Sequence, residues 1–231
     1  MITVLLIGNG NIASHLHAAF LTADHIAVTK ISSRNLEHIP YAEITIIAVS
    51  DDAIAEVSSQ IKNPFVVHTS GACEIGELKN TTHKGVFYML QTFTKNKEVN
   101  FNEVPFCLEA ENTEKQELLE KLAKVIGKNI YSVNSTQRKA LHVAAVFVNN
   151  FTNHLYSTGN EICKKQGVPF EILHPLIKET ASKVTSLSPE KAQTGPAIRN
   201  DLKTIKNHLD LLNIQQQQIY TILTKSIQDG H

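Results

Sequence analysis

Neither sign of charge dominates this chain: 22 lysines and arginines stand against 22 aspartates and glutamates in 231 residues. Binding nucleic acid by neutralising phosphates needs a basic surplus, so no nucleic-acid partner is expected. Long apolar runs are missing too. The strongest, Ile44 to Val49 and Ala144 to Val148, fall far short of the roughly 18 residues a membrane span requires, and no membrane partner is expected. The first seven residues lack a charged leader region and run straight into a glycine turn, so they read as a strand and not as a signal peptide. Cysteine is scarce: Cys73, Cys107 and Cys163 are isolated, with no C-x-x-C and no Cys/His cluster. That excludes a disulfide framework, fits a reducing cytoplasmic compartment and leaves no zinc site. His15 and His17, two apart on a helix, face different ways and make no metal pair.

What the chain does have is 42% hydrophobic residues, enough for a large core in one big domain or two smaller ones. Up to about residue 134 they gather in short β-branched runs separated by turns and helical patterns. The runs are Ile2 to Ile7, Ile26 to Ile31, Ile44 to Val49, Phe65 to His68, Val86 to Met89, Pro105 to Leu108 and Asn129 to Val133. The first four are continuous, as in parallel strands covered on both faces, and strand-helix alternation implies right-handed βαβ units in one sheet. From Ser135 onward the period becomes helical, with Leu141, Ala145, Val148, Thr152 and Leu155 on one stripe and Leu202, Ile205, Leu209 and Leu212 on another. The expected division is an α/β domain over residues 1–134 and an all-helical domain over 135–231.

The first strand is followed by Gly8-Asn9-Gly10-Asn11-Ile12-Ala13, a G-x-G-x-x-A turn opening a helix. Gly8 permits the tight turn, Gly10 leaves room for a pyrophosphate, and the small Ala13 lets helix and strand pack closely. Amides at the helix start then point at the phosphates. Between a clear strand and a helix, this is the arrangement of a Rossmann-like dinucleotide site. After the second strand, where an NAD enzyme places an acidic residue, the chain reads Ser32-Ser33-Arg34-Asn35. A hydroxyl and a guanidinium suit a 2′-phosphate, so NADP is the expected cofactor. The Ala48-Val49-Ser50 loop after the third strand is expected to border the cofactor, with Ser50 or Asp51 also an N-cap candidate.

These segments give the first half, to about residue 110, a resemblance to the NADP-binding domains of pyrroline-5-carboxylate reductases and deazaflavin-dependent NADP reductases. The second half resembles the all-helical C-terminal domains of ketopantoate reductase and the 6-phosphogluconate dehydrogenase group. The whole chain is similar to a bacterial family of unknown function that joins a Rossmann-like domain to its own helical domain. The segments carrying that likeness are His68-Thr69-Ser70-Gly71-Ala72, Leu90-Gln91-Thr92-Phe93 and Ala192-Gln193-Thr194-Gly195-Pro196-Ala197. The resemblance implies NADP binding and dimerisation through the helical half, whose apolar stripes can alternatively pack within one chain.

Candidate chemistry lies on the helix from Gln137 to about Tyr156. On a helical wheel His142, Asn149 and Asn153 share a face, making His142 the candidate general acid and the asparagines candidate orienters of a carbonyl or imine. His68 and Gln91 follow strands at the ligand-binding edge and are candidates for cofactor and substrate contact respectively. Thr194, as N-cap of a helix with Pro196 in its first turn, and the nearby Arg199 form a candidate site for an acidic substrate group. The function expected is an NADP(H)-dependent reduction of a C=O or C=N group in a small acidic metabolite, at a site between the domains. Two rivals stay open: a non-catalytic NADP-binding sensor or scaffold, and a helical interaction module on a degenerate Rossmann fold.

Overall fold

The computed structural model describes residues 1–230. It resolves into two compact units, Met1–Val148 and one beginning at Asn149. In the first, β1 (Ile2–Ile7), α1 (Asn11–Leu21), β2 (Ile26–Ile31), β3 (Ile44–Ile47), α2 (Ile54–Ser59), β4 (Phe65–His68) and β5 (His83–Met89) follow in order. After them come β6 (Pro105–Ala110), α3 (Thr113–Lys124), β7 (Asn129–Ser132) and α4 (Ser135–Ala145). The seven strands form one sheet in the order β2-β1-β3-β4-β5-β6-β7.

Side chains alternate across each strand, and two cores result. Val4, Leu6, Ile46, Val67, Phe87 and Phe106 meet Leu16 and Phe20 of α1 and Leu119 and Leu122 of α3 on one face. Leu5, Ile7, Ile47 and Val66 meet Ile54 and Val57 of α2 on the other. Burial on both faces explains why β1, β3 and β4 read as near-continuous apolar runs, interrupted only by Thr3, Thr45 and the terminal His68. β2 departs from the expected two-sided cover. It is the edge strand, and Ala27, Thr29 and Lys30 are exposed.

The sheet is parallel except at one pair: β5 and β6 run antiparallel, Tyr88 opposite Cys107. The connection between them carries only a short turn of 3-10 helix at Phe101–Glu103, with no crossover helix to return the chain. β1 to β5 still run the same way, so their carboxyl ends share one edge.

The boundary between the units lies later than residue 134 because α4 is tied to the sheet. Arg138, fully buried, is ion-paired with Glu109 of β6 and donates to the Cys73 carbonyl. Ser135 Oγ binds the same carboxylate at 2.9 Å. The helical stretch is not continuous α-helix: a π-helical segment occupies Val146–Phe151.

The second unit contains α5 (Thr152–Lys165), α6 (His174–Ser186), α7 (Pro189–Ala192), α8 (Leu202–Leu211) and α9 (Ile214–Asp229). Gly167 ends α5 at φ +67°, with the Val168 amide donating 2.9 Å back to the Cys163 carbonyl. Asn213 and Gln216 form a capping box at the start of α9. Ala197 is the one buried hydrophobic residue of this unit among the described residues. Among the described helices none is long and apolar enough to cross a membrane.

Candidate functional site

Gly8 takes φ +141°, and a Cβ placed on it would stand 2.2 Å from the Ala48 carbonyl oxygen. That close approach lets the turn after β1 and the loop after β3 lie side by side. They border an open crease of about 800 Å3 at the carboxyl edge of the sheet. It is lined by Asn9, Gly10, Asn11 and Ile12 of the glycine turn, by Ser33 and Arg34 after β2, and by Ala48, Val49 and Ser50 after β3. The cofactor-contact candidates from these three segments therefore meet in one place, except Gly8, which packs against the Ala48 carbonyl and does not line the crease.

The crease fits a dinucleotide on its own chemistry. A Cβ on Gly10 would find nothing within 4 Å, so the backbone there lies open to a phosphate. Gly10 is the N-cap of α1 and offers no side chain, and the first turn holds no acid, which leaves the helix amides and dipole unanswered. The Arg34 side chain makes no hydrogen bond or ion pair among the described residues. Ser50 occupies a cap position without using its side chain to cap, so its hydroxyl stays available to the crease.

Other candidates have different employment. The Asn11 side chain donates 2.8 Å to the Phe93 carbonyl, and His15 Nε2 lies 3.0 Å from the Thr94 carbonyl. These bonds pin the loop after β5 over α1 and bring Gln91 and Phe93 into the crease. Asn11 can thus serve a phosphate through its backbone amide, while Gln91 borders the cofactor crease, with Oε1 accepting the Thr92 amide at 2.8 Å. Phe93, the last residue of the Leu90–Phe93 segment, joins the lining without any local signal that marks it as a ligand contact.

His68 does not line the crease. It is fully buried, its Nδ1 accepts the Ser70 amide at 3.1 Å and its Nε2 lies 3.3 Å from the Glu74 carbonyl. An Nδ1 that accepts leaves the proton on Nε2, which donates to Glu74, so the ring is neutral. Burial, then the charge of Arg138, lowers its pKa to about 4. Its work is to fold the loop after β4.

His142 is half-buried and meets Tyr88 of β5, Oη to Nδ1 at 3.3 Å. Burial raises the Tyr88 pKa and keeps the phenol protonated. The shared stripe with Asn149 and Asn153 rests on an unbroken 3.6-residue period, which the π-helical segment interrupts. Both asparagines are exposed and fall in the second compact unit, whereas His142 falls in the first.

The helix start at Thr194 is absent. The chain makes a turn over 196–200, and α8 begins at Leu202, capped by Asp201, which accepts the Thr204 amide at 3.0 Å and its hydroxyl at 2.7 Å. Those bonds lower the Asp201 pKa, with a smaller contribution from Arg199. The helix end already holds an anion, and the expected acidic-group site at Thr194 and Arg199 loses its basis.

Together the sheet, the glycine turn and the crease define a Rossmann-like α/β protein with a C-terminal helical region. The chain belongs to the family described as domain of unknown function DUF2520, which matches residues 104–227. A Bacteroides fragilis structure named "putative NADP oxidoreductase" is 38% identical, covers 99% of this chain and 98% of its own, and superposes with a TM-score of 0.89. The Plasmodium falciparum pyrroline carboxylate reductase with NADP bound shares 13% identity at TM-score 0.61, over 98% of both chains. The Streptomyces aurantiacus imine reductase shares 12% at 0.61, over 98% of this chain and 92% of its own. These last two are likenesses of fold. Comparison with curated proteins gave no match.

Proposed function

We propose that this protein is an NADP(H)-dependent oxidoreductase that reduces a C=O or C=N bond in a small metabolite. The observation that carries the reading is the crease in which an open Gly10 and an uncapped helix start face the same space as Arg34. The name borne by the Bacteroides fragilis relative supports it. Gly10 and the α1 amides would hold the pyrophosphate, and Ser33 and Arg34 the 2′-phosphate. NADPH bound there supplies the hydride. The acidic character expected of the substrate rested on a helix start at Thr194 that the chain does not form, α8 beginning instead at Leu202 under an Asp201 cap. Three unpaired cysteines suit a reducing, cytoplasmic setting.

The test is a fluorescence titration with NADPH and NADH of the parent and Arg34→Ala. Tighter binding of NADPH that the variant loses supports the reading. Failure of both to bind overturns it, and binding without turnover across a panel of ketones and imines favours the sensor reading.

We also infer that the helical unit pairs with a second copy of the chain. Over residues 149–230 it buries little of its own apolar surface, leaving Ile172, Leu176, Leu202, Leu211, Ile214 and Ile222 exposed. Monomeric proteins seldom expose so much.

A further inference from the structure

Most polar side chains after β4, at the carboxyl edge, are spent within the fold. Thr69 Oγ1 donates to the Ile47 carbonyl, Ser70 Oγ accepts the Ala72 and Cys73 amides, and both nitrogens of His68 are engaged. Tyr88 and His142 differ. Their rings meet edge-on, centroids 6.2 Å apart, and the phenol lies 3.3 Å from Nδ1. His142 Nε2 has no hydrogen-bond partner among the described residues, and neither ring is fully buried. Gly71 closes the third side: a Cβ there would fall 2.7 Å from His142 Nδ1 and 2.8 Å from Tyr88 Cζ. Any larger residue at 71 would part the two rings.

Strand order indicates which end of a dinucleotide comes here. Ser33 and Arg34 follow the edge strand β2, the glycine turn follows β1, and β3, β4 and β5 continue away from β2. With the 2′-phosphate at Arg34 and the pyrophosphate at α1, the reacting end extends toward the ends of β4 and β5. Gly71 and Tyr88 stand on that side.

We propose that Tyr88 is the proton donor to the heteroatom of the reduced bond and that His142 reprotonates it, an inference that rests on the NADP(H) reading above. As hydride reaches the carbon of C=O or C=N, the electron pair of that double bond moves to the heteroatom, which takes the Tyr88 proton. The O–H electrons remain on the phenolate, which takes the Nδ1 proton of His142 while Nε2 takes one from water, leaving hydroxide, so that the imidazole stays neutral; exchange of ring protons with solvent then returns a proton to Nδ1. One hydride and one solvent proton are consumed for each bond reduced. Tyr88 is the catalytic residue and His142 a positioning residue that acts through it.

The test needs no substrate. Protein labelled with 15N in histidine and 13C at tyrosine Cζ is titrated by NMR alone, with NADPH, and with NADP+. The nicotinamide ring is positive in NADP+ and neutral in NADPH, so a neighbouring imidazole protonates less readily beside the oxidised form. The other groups around the pair, Arg138 and Lys139 on α4, Cys107 and Glu109 on β6 and Glu74 on the loop, are common to both complexes and cancel in the comparison. The His142 midpoint is expected to lie lower with NADP+ than with NADPH by roughly half a pH unit. Tyr88→Phe is expected to move that midpoint in the free protein. Should Tyr88→Phe fail to fold, His142→Gln read through the Tyr88 resonance replaces it.

Identical His142 midpoints in both complexes, or a midpoint indifferent to Tyr88→Phe, overturn the pair while leaving the cofactor reading intact. Absence of binding by either nucleotide overturns the cofactor reading and the pair with it.

Discussion

Gly8 packs against Ala48 beside the crease, with the space for a Gly8 Cβ already filled by the Ala48 carbonyl oxygen at 2.2 Å. Gly10, two residues on, borders open space. The two glycines of one motif therefore do different jobs, one in the fold and one at the ligand. Gly8→Ala should cost about 3 kcal/mol or more, since it combines a left-handed φ with a backbone clash. Gly10→Ala should cost less than about 1 kcal/mol of stability yet abolish NADPH binding, because the added methyl stands where the pyrophosphate would lie. Denaturant unfolding and a binding titration of both variants separate these outcomes; equal loss of stability would refute the division of labour.

Arg34→Ala should lower NADPH affinity about ten- to hundredfold while leaving NADH nearly unchanged, the loss of one or two charge-assisted hydrogen bonds. Equal weakening of both nucleotides would place the guanidinium away from the 2′-phosphate.

The crease was legible because its parts are local: a glycine turn, a serine-arginine pair and a loop, each within six residues and each at a strand end. Seven strands were legible for a similar reason, since β-branched runs announce themselves. What stayed hidden depends on distant partners. Tyr88 reads as one more strand residue until α4, 54 positions later, brings His142 against it. Nothing local marks the π-helical segment, and it voids a wheel drawn through His142 and Asn149. Thr194 carried a plausible cap signature but lost to Asp201, whose carboxylate satisfies the real helix start.

Arg138 is wholly buried against Glu109, and its Nε has no partner. Removing one member of such a pair strands a buried charge. Glu109→Ala should destabilise the protein by about 3–5 kcal/mol, and the double variant Arg138→Met, Glu109→Leu should recover most of that loss. Unfolding midpoints of the single and double variants decide the matter. A double variant no better than the single one would mean that the bonds from Arg138 to the Cys73 carbonyl and the Ser135 hydroxyl matter more than the ion pair.

His68 makes stability depend on pH in a defined window. Its ordinary value of 6.5 falls to about 4 in the fold, so between those values the unfolded chain binds the extra proton. Stability is full above 6.5 and is lost as pH falls toward 4, by roughly 3 kcal/mol in all. His68→Asn keeps an acceptor for the Ser70 amide without titrating here, and should flatten the slope of unfolding free energy over that window. An unchanged slope would assign acid sensitivity to other groups.

The helical unit supplies the last expectation. Leu176 and Ile222 are 61% and 69% exposed, in a unit where Ala197 alone among the described hydrophobic residues is buried. Helices of amphipathic pattern gain most of their stability by covering that face, and a unit this poor in buried side chains needs a surface to pack on. If a second copy provides it, the parent sediments as a dimer, and Leu176→Glu with Ile222→Glu shifts it to monomer while lowering the midpoint of thermal unfolding. Were the surface solvated in the native protein, the same two charges would be tolerated within about 0.5 kcal/mol, since substitutions on a water-exposed face rarely exceed that. A parent that sediments as a monomer at every concentration, or a doubly substituted dimer, would rule out pairing through this face.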